Sequence, residues 1–213
     1  MTTLRDTALK LIWQHKLHVA PNAAEGLPRA WQQRIGSSLN LSQELMNAHA
    51  ALPEGMLRYW LARPDGHLLV DPNLPPGYAE TLVWRAGPLQ NCVVLRWAEV
   101  LEPLAALRAS AVMLDILLGS AAGAAPQMFS EGFGATPELA RAAELYNELA
   151  GLGYGAEAWG VQSKADYWAM CLALAVHAPA ELNREHPLLE RHLRRTLLSE
   201  PFWRTVNAQL PSS

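Results

Sequence analysis

Histidines and acidic side chains at helical spacing are the first candidates for chemistry in this 213-residue chain, because together they can hold a metal ion. A zinc peptidase presents H-E-x-x-H on a helix, where residues four apart place two imidazoles on one face. No two histidines here stand four apart. His15 and His18 are three apart, but no further ligand lies near them in sequence, so we interpret them as ordinary residues of a partly exposed helix.

Two pairs of a histidine and a glutamate, His177/Glu181 and His186/Glu190, do have the four-residue spacing. A proline lies inside each pair; it interrupts the first helix and puts the second pair at a helix start. We therefore expect these side chains to be solvated or to cap helix ends.

Nucleophile and phosphate-binding patterns are also missing from the chain. Gly119-Ser-Ala-Ala-Gly123 lacks the centred serine of G-x-S-x-G, and the other glycine clusters lack the lysine of a P-loop. Cys92 and Cys171 lie in apolar runs, where cysteine behaves as a small hydrophobic residue, so we expect two buried free thiols. A carboxylate pair for acid–base catalysis can come from distant positions and would escape detection.

The basic residues near the C-terminus form the one candidate partner surface. Arg191, Arg194 and Arg195 alternate with leucines on a predicted helix, and Arg204 follows. This pattern is typical of an amphipathic helix with a basic polar face. It also suits a surface for phosphate or an acidic partner.

Overall composition limits the classes of partner. The net charge of −3 argues against a dedicated nucleic-acid binder. The first 20 residues lack the apolar core of a signal peptide, and the longest apolar stretch, 109–118, is too short to span a bilayer. We expect a soluble cytoplasmic protein that contacts neither nucleic acid nor membrane and carries no cofactor or metal.

The elements that position these residues change character along the chain. Helical spacing at 3–18, 28–35 and 42–51 predicts a helical N-terminal extension over residues 1–52. Residues 53–213 are predicted to form an α+β domain, and the two parts can also make one compact domain.

The first segments of the α+β domain are predicted to be strands. Residues 56–62 and 67–70 flank the turn signal Arg-Pro-Asp-Gly and predict a hairpin, and 80–85 and 92–97 are two further strands. The prediction is an α+β fold, mostly α-helical, with a small antiparallel β-sheet of three or four strands.

Helices are predicted from residue 98 onward. Residues 98–118 form one kinked helix, or a turn and a helix that ends at Gly119. Other helices begin at Thr136, Ser163, His186 and Ser199. Ser163-Lys-Ala-Asp166 is close to a capping box, so we expect Ser163 to cap its helix and Asp166 to serve the same helix end.

Four segments of the second half form a recognisable series: Val112-Met-Leu-Asp115-Ile-Leu-Leu-Gly119, Asp166-Tyr-Trp-Ala169-Met170, Ala178-Pro179-Ala-Glu-Leu and His186-Pro187-Leu-Leu-Glu190. Through these segments, roughly residues 80–197 resemble the zinc peptidase domains of the anthrax lethal-factor type. Those domains place a short sheet before an H-E-x-x-H helix that often continues H-A-L-D, and a later E-[YF]-[FW]-A-E helix supplies the third zinc ligand.

The departures from that pattern fall on the reactive positions. Alignment on the aspartate of the first helix puts Arg108, Ala109 and Val112 where the first histidine, the catalytic glutamate and the second histidine would stand. Asp166 takes the place of the third ligand, and Met170 that of the second glutamate. Alanine and valine supply no zinc donor, and the general base is absent. The resemblance thus implies a pseudo-peptidase with no catalytic residue.

Three functions remain open at this point. The first is a non-catalytic binding or regulatory protein on a degenerate metallopeptidase-like scaffold, with a protein or peptide as partner. The second is a hydrolase whose dispersed site the sequence hides. The third is a helical assembly component.

Overall fold

A computed structural model describes residues 4–25, 27–85 and 87–209, which form eleven α-helices and four β-strands. The helices are α1 (Leu4–His15), α2 (Arg29–Ile35), α3 (Ser38–His49), α4 (Glu54–Ala62), α5 (Trp97–Val100), α6 (Pro103–Gly119), α7 (Pro137–Ala150), α8 (Lys164–His177), α9 (Pro179–Glu185), α10 (Pro187–Arg195) and α11 (Glu200–Asn207). The strands are β1 (Leu17–Val19), β2 (His67–Val70), β3 (Gly77–Trp84) and β4 (Gly87–Val94). A 3₁₀ turn spans Phe129–Glu131.

The four strands form one sheet in the order β1-β2-β4-β3. The class predicted from sequence, a mostly helical α+β fold, is confirmed. The sheet is mixed rather than wholly antiparallel, because β1–β2 and β2–β4 pair in parallel and only β3–β4 is an antiparallel hairpin. Because β3 is last in this order, it lies at an edge of the sheet and, among the described strands, pairs with β4 alone.

The strand predicted over residues 56–62 is wrong, since these residues belong to helix α4. The buried side chains Met56, Leu57, Tyr59 and Trp60 fall on one helical face. Tyrosine and tryptophan are common in strands, and the strand prediction gave weight to this composition and not to the helical spacing. Because residues 56–62 are helical, the predicted hairpin with residues 67–70 does not form. Strand β2 instead lies between β1 and β4 and pairs with both.

Strand β1 was also missed, because its three residues lie within the predicted helix 3–18. That prediction begins at residue 3, outside the described residues. Helix α1 ends at His15, and β1 pairs Leu17 with Leu68 of β2. A three-residue strand has too little local pattern to be separated from the preceding helix.

Local capping signals locate the later helices well. Thr136 Oγ1 accepts a hydrogen bond from the Leu139 amide at 3.3 Å and caps α7. The helix predicted over 98–118 is two helices in the structure, the short α5 and the long α6, and Pro103 lies in the first turn of α6. The prediction that Gly119 ends this helix is confirmed.

Helices α6 and α8 lie at the centre of the hydrophobic core. Most of their residues are buried, and the Trp168 indole of α8 donates to the Ala111 carbonyl of α6 at 2.8 Å. Phe129 and Tyr146 pack their rings against Trp168, with centroids 5.1 and 5.2 Å away. Among the described residues no helix combines the length and apolar character that crossing a membrane requires.

Candidate functional site

The positions at which the resemblance implies zinc ligands lie on a half-buried face of α6. Arg108, Ala109 and Val112 are all partly exposed there. Residues four apart share a helix face, so the same face continues through Ile116 to Ser120, the residue that follows α6. None of these five side chains is a histidine, cysteine or carboxylate, so the face supplies no ligand that zinc prefers.

The first turn of α8 has the capping geometry expected from the sequence. Ser163 Oγ accepts a hydrogen bond from the Asp166 amide at 3.1 Å and donates to the Asp166 carboxylate at 2.9 Å. Asp166 is exposed and Met170 is buried. The cap prediction is confirmed, and the Asp166 carboxylate is engaged with the capping hydroxyl.

The histidines of the two spaced pairs bond to backbone groups. His177 Nε2 lies 3.0 Å from the Ala48 carbonyl and His186 Nε2 lies 3.0 Å from the Leu149 carbonyl. His186 Nδ1 also accepts from the Leu189 amide and caps α10, so the expected capping role is confirmed. Within the described ranges no group of three or more histidine, cysteine or acidic residues is arranged to hold a metal ion.

The structure brings together one histidine pair that sequence reasoning missed. His18 Nε2 of β1 lies 3.0 Å from His67 Nδ1 of β2. His67 Nε2 faces the Pro64 carbonyl at 3.2 Å and so carries the proton, which leaves Nδ1 to accept from His18. No local signal marks this pair, because 49 residues separate its members and strand pairing alone joins them.

The surroundings of this pair disfavour positive charge. Burial lowers the pKa of His67 to about 4, and Lys16 contributes in the same direction. Burial, Lys16 and Arg85 also lower the pKa of His18. The pair is therefore neutral at physiological pH and lies in an environment that opposes a bound cation.

Three of the four candidate partner residues share a surface hollow of about 690 Å³. Arg191, Arg194 and Arg195 line it, and Arg194 forms an ion pair with Glu190. Arg204 lines a different hollow, together with Arg5, Arg58 and Glu200.

A polar groove of about 320 Å³ lies between edge strand β3 and the end of α6. Strands β3 and β4 line it with Tyr78, Glu80, Thr81, Gln90 and Asn91. The end of α6 contributes Ile116 and Ser120, and Arg63, Asp65 and the loop after α6 complete the lining. The groove thus continues the α6 face that bears Arg108, Ala109 and Val112 toward the free edge of the sheet.

A buried ion pair closes one end of the groove. Arg63 binds both oxygens of Asp65, with Nε–Oδ1 and Nη2–Oδ2 distances of 2.9 and 3.1 Å. Its Nη1 donates to the carbonyls of Leu117 and Ser120. Lys16 Nζ lies behind the pair, 2.9 Å from the Asp65 carbonyl, and burial lowers its pKa to about 8. These charges are engaged within the fold.

Asn91 of β4 occupies a strained position in the wall of the groove. Its φ of +53° lies in the left-handed region, which asparagine tolerates better than most residues. Its Nδ2 donates to the Met113 carbonyl of α6 at 3.2 Å, which fixes the orientation of the amide. Asn91 Oδ1 is buried and has no hydrogen-bond partner among the described residues.

The other candidate reactive groups are closed off from solvent. Burial raises the pKa of Cys92 to about 11 and that of Cys171 to about 12, so both thiols stay protonated. Both cysteines are buried and free, as expected. Asp115 is fully buried, and its carboxyl oxygens each accept a bond of 2.7 Å from the amide and hydroxyl of Ser130. This contact anchors the 3₁₀ turn to α6.

Comparisons with protein-family models, with curated proteins and with solved structures each found no match.

Proposed function

We propose that this is a non-catalytic binding protein on a scaffold similar to that of the zinc peptidases, and that it binds an extended peptide segment along β3. One observation carries the proposal: the outer edge of the eight-residue strand β3, which no described strand pairs with, borders a polar groove. An edge strand offers a row of free amide and carbonyl groups to a second extended chain.

The hairpin register indicates which amides face outward. Val83 pairs with Pro88, which has no N–H, so this pair does not exchange two hydrogen bonds. Pairs that do and do not exchange bonds alternate along an antiparallel ladder. The backbone groups of Val83 and Thr81 therefore point away from β4 and are available to a bound strand.

The chemistry beside this edge favours binding over turnover. Arg108, Ala109 and Val112 provide neither a zinc donor nor a general base. The Arg63–Asp65 pair beside the groove is bound within the fold, so it is not free to transfer a proton. A segment held at β3 would thus meet polar contacts without a reactive group.

The proposal is tested with a set of fluorescein-labelled octapeptides of alternating threonine and valine that vary at one central position. Fluorescence anisotropy is measured with the wild type, Thr81→Pro and Thr81→Val. Proline removes the outward amide and is tolerated on an edge strand, whereas valine keeps the amide. We expect binding by the wild type and Thr81→Val and its loss in Thr81→Pro. Absence of binding to the wild type, or equal binding by all three, would overturn the proposal.

A further inference from the structure

The wall of the groove beside β3 contains one buried hydrogen-bond acceptor that the described residues do not satisfy. Asn91 is only 4% exposed, and its Oδ1 has no partner in the described part of the chain. A buried acceptor without a donor costs free energy that a suitable ligand group would recover. Because the Met113 carbonyl holds Nδ2, the amide cannot reverse to present a donor instead.

An acidic side chain lies at the same part of the groove. Glu80 lines it and forms no ion pair with the residues the structure describes. Burial raises the pKa of the Tyr78 hydroxyl to about 12, and the charges of Glu80 and Asp65 contribute in the same direction. The neighbouring cation Arg63 is held by the bidentate Asp65, and Lys16 donates to the carbonyls of Arg63 and Asp65, so neither cation pairs with Glu80.

We propose that this groove receives a basic side chain, lysine or arginine, from the peptide segment bound along β3. The inference rests on the proposed function and names the chemistry of its ligand. An ammonium or guanidinium group has only donors, so it can satisfy Asn91 Oδ1 while pairing with the Glu80 carboxylate. Glu80 stands next to Thr81 in β3, which places this subsite beside the outward-facing backbone groups.

Four octapeptides test the inference, identical except for lysine, arginine, norleucine or glutamate at the central position. We expect the lysine and arginine peptides to bind the wild type about tenfold more tightly than the norleucine peptide, because a hydrogen bond between charged groups is stronger than one between neutral groups. Glu80→Gln should remove most of this preference. Glu157→Gln, at an exposed glutamate outside the groove, should leave it unchanged.

The outcomes separate the two proposals. If all four peptides bind the wild type equally and Thr81→Pro abolishes binding, the basic subsite is overturned and the proposed function stands. If none of the four binds, both are overturned. Tighter binding of the glutamate peptide would also contradict a subsite for basic side chains.

Discussion

At the scale of single residues, the carboxyl group of Asp115 shows how burial sets chemistry in this protein. It lies in the middle of α6 with no exposed surface, and its two oxygens accept hydrogen bonds from Ser130. Burial raises its pKa to about 7, although the bonds from Ser130 oppose the rise. The native state therefore retains a proton that the unfolded chain releases at much lower pH.

Replacement of Asp115 by asparagine should remove a pH dependence of stability. The native pKa lies above the unfolded one, so the contribution of Asp115 is favourable at low pH and is lost as pH rises from about 4 to 7. We expect the free energy of unfolding of the wild type, minus that of Asp115→Asn, to fall by about 2–3 kcal/mol between pH 5 and 8. Urea denaturation at several pH values measures this difference.

The matched control for this prediction is Glu157→Gln, which removes an exposed carboxylate. Its difference from the wild type should stay nearly constant over the same range. A difference for Asp115→Asn that is equally flat would show that Asp115 is already ionised in the native state at pH 5.

Several site residues could not be foreseen from the sequence for the same physical reason. The His18–His67 contact and the Arg63–Asp65–Lys16 group depend on how β1, β2 and α4 assemble. Asn91 adopts its left-handed conformation within strand β4. Local signals sufficed where a residue acts on its own helix, as Ser163 does.

At the scale of elements, helix α4 depends on α11. The Glu200 carboxylate of α11 accepts bonds from the Glu54 amide at 2.6 Å and the Gly55 amide at 3.1 Å at the start of α4. Trp203 packs directly on Gly55, and a Cβ at residue 55 would stand 2.2 Å from the Trp203 Cβ. This contact, absent from any local pattern, helps explain why the sequence of α4 alone suggested a strand.

Gly55→Ala should therefore destabilise the protein although alanine is the better helix former. The usual gain of about 1 kcal/mol in a helix is outweighed here by steric overlap with Trp203. We expect a net loss of about 1–3 kcal/mol in the free energy of unfolding by chemical denaturation. Gly151→Ala, at the exposed end of α7, is the control and should change stability much less. A gain of stability in Gly55→Ala would contradict the close packing of α11.

At the scale of the whole molecule, the sheet leaves one long edge unpaired while its helices enclose the core. Helices α6 and α8 were foreseen because their caps and apolar spacing are local. The order of the strands in the sheet was not foreseen, because parallel pairing of β1, β2 and β4 joins residues far apart in sequence. The free edge of β3 results from that strand order, and the proposed function depends on this edge.

We expect the purified protein to contain no stoichiometric zinc and to show no zinc-dependent peptidase activity. The α6 face carries Arg108, Ala109 and Val112, and the described residues include no cluster of three metal-binding side chains. Elemental analysis after expression in zinc-supplemented medium measures the metal content. One zinc per chain, with a melting temperature that falls on chelation, would contradict the pseudo-peptidase interpretation.

Hydrogen exchange of the β3 backbone amides, with and without the lysine octapeptide, tests the central claim most directly. A strand added at the free edge must take up the outward amides of Thr81 and Val83 as donors. We predict that these two amides exchange more slowly when the peptide is present, while amides of α10 are unaffected. Binding of the peptide with no change in exchange at Thr81 and Val83 would contradict the account.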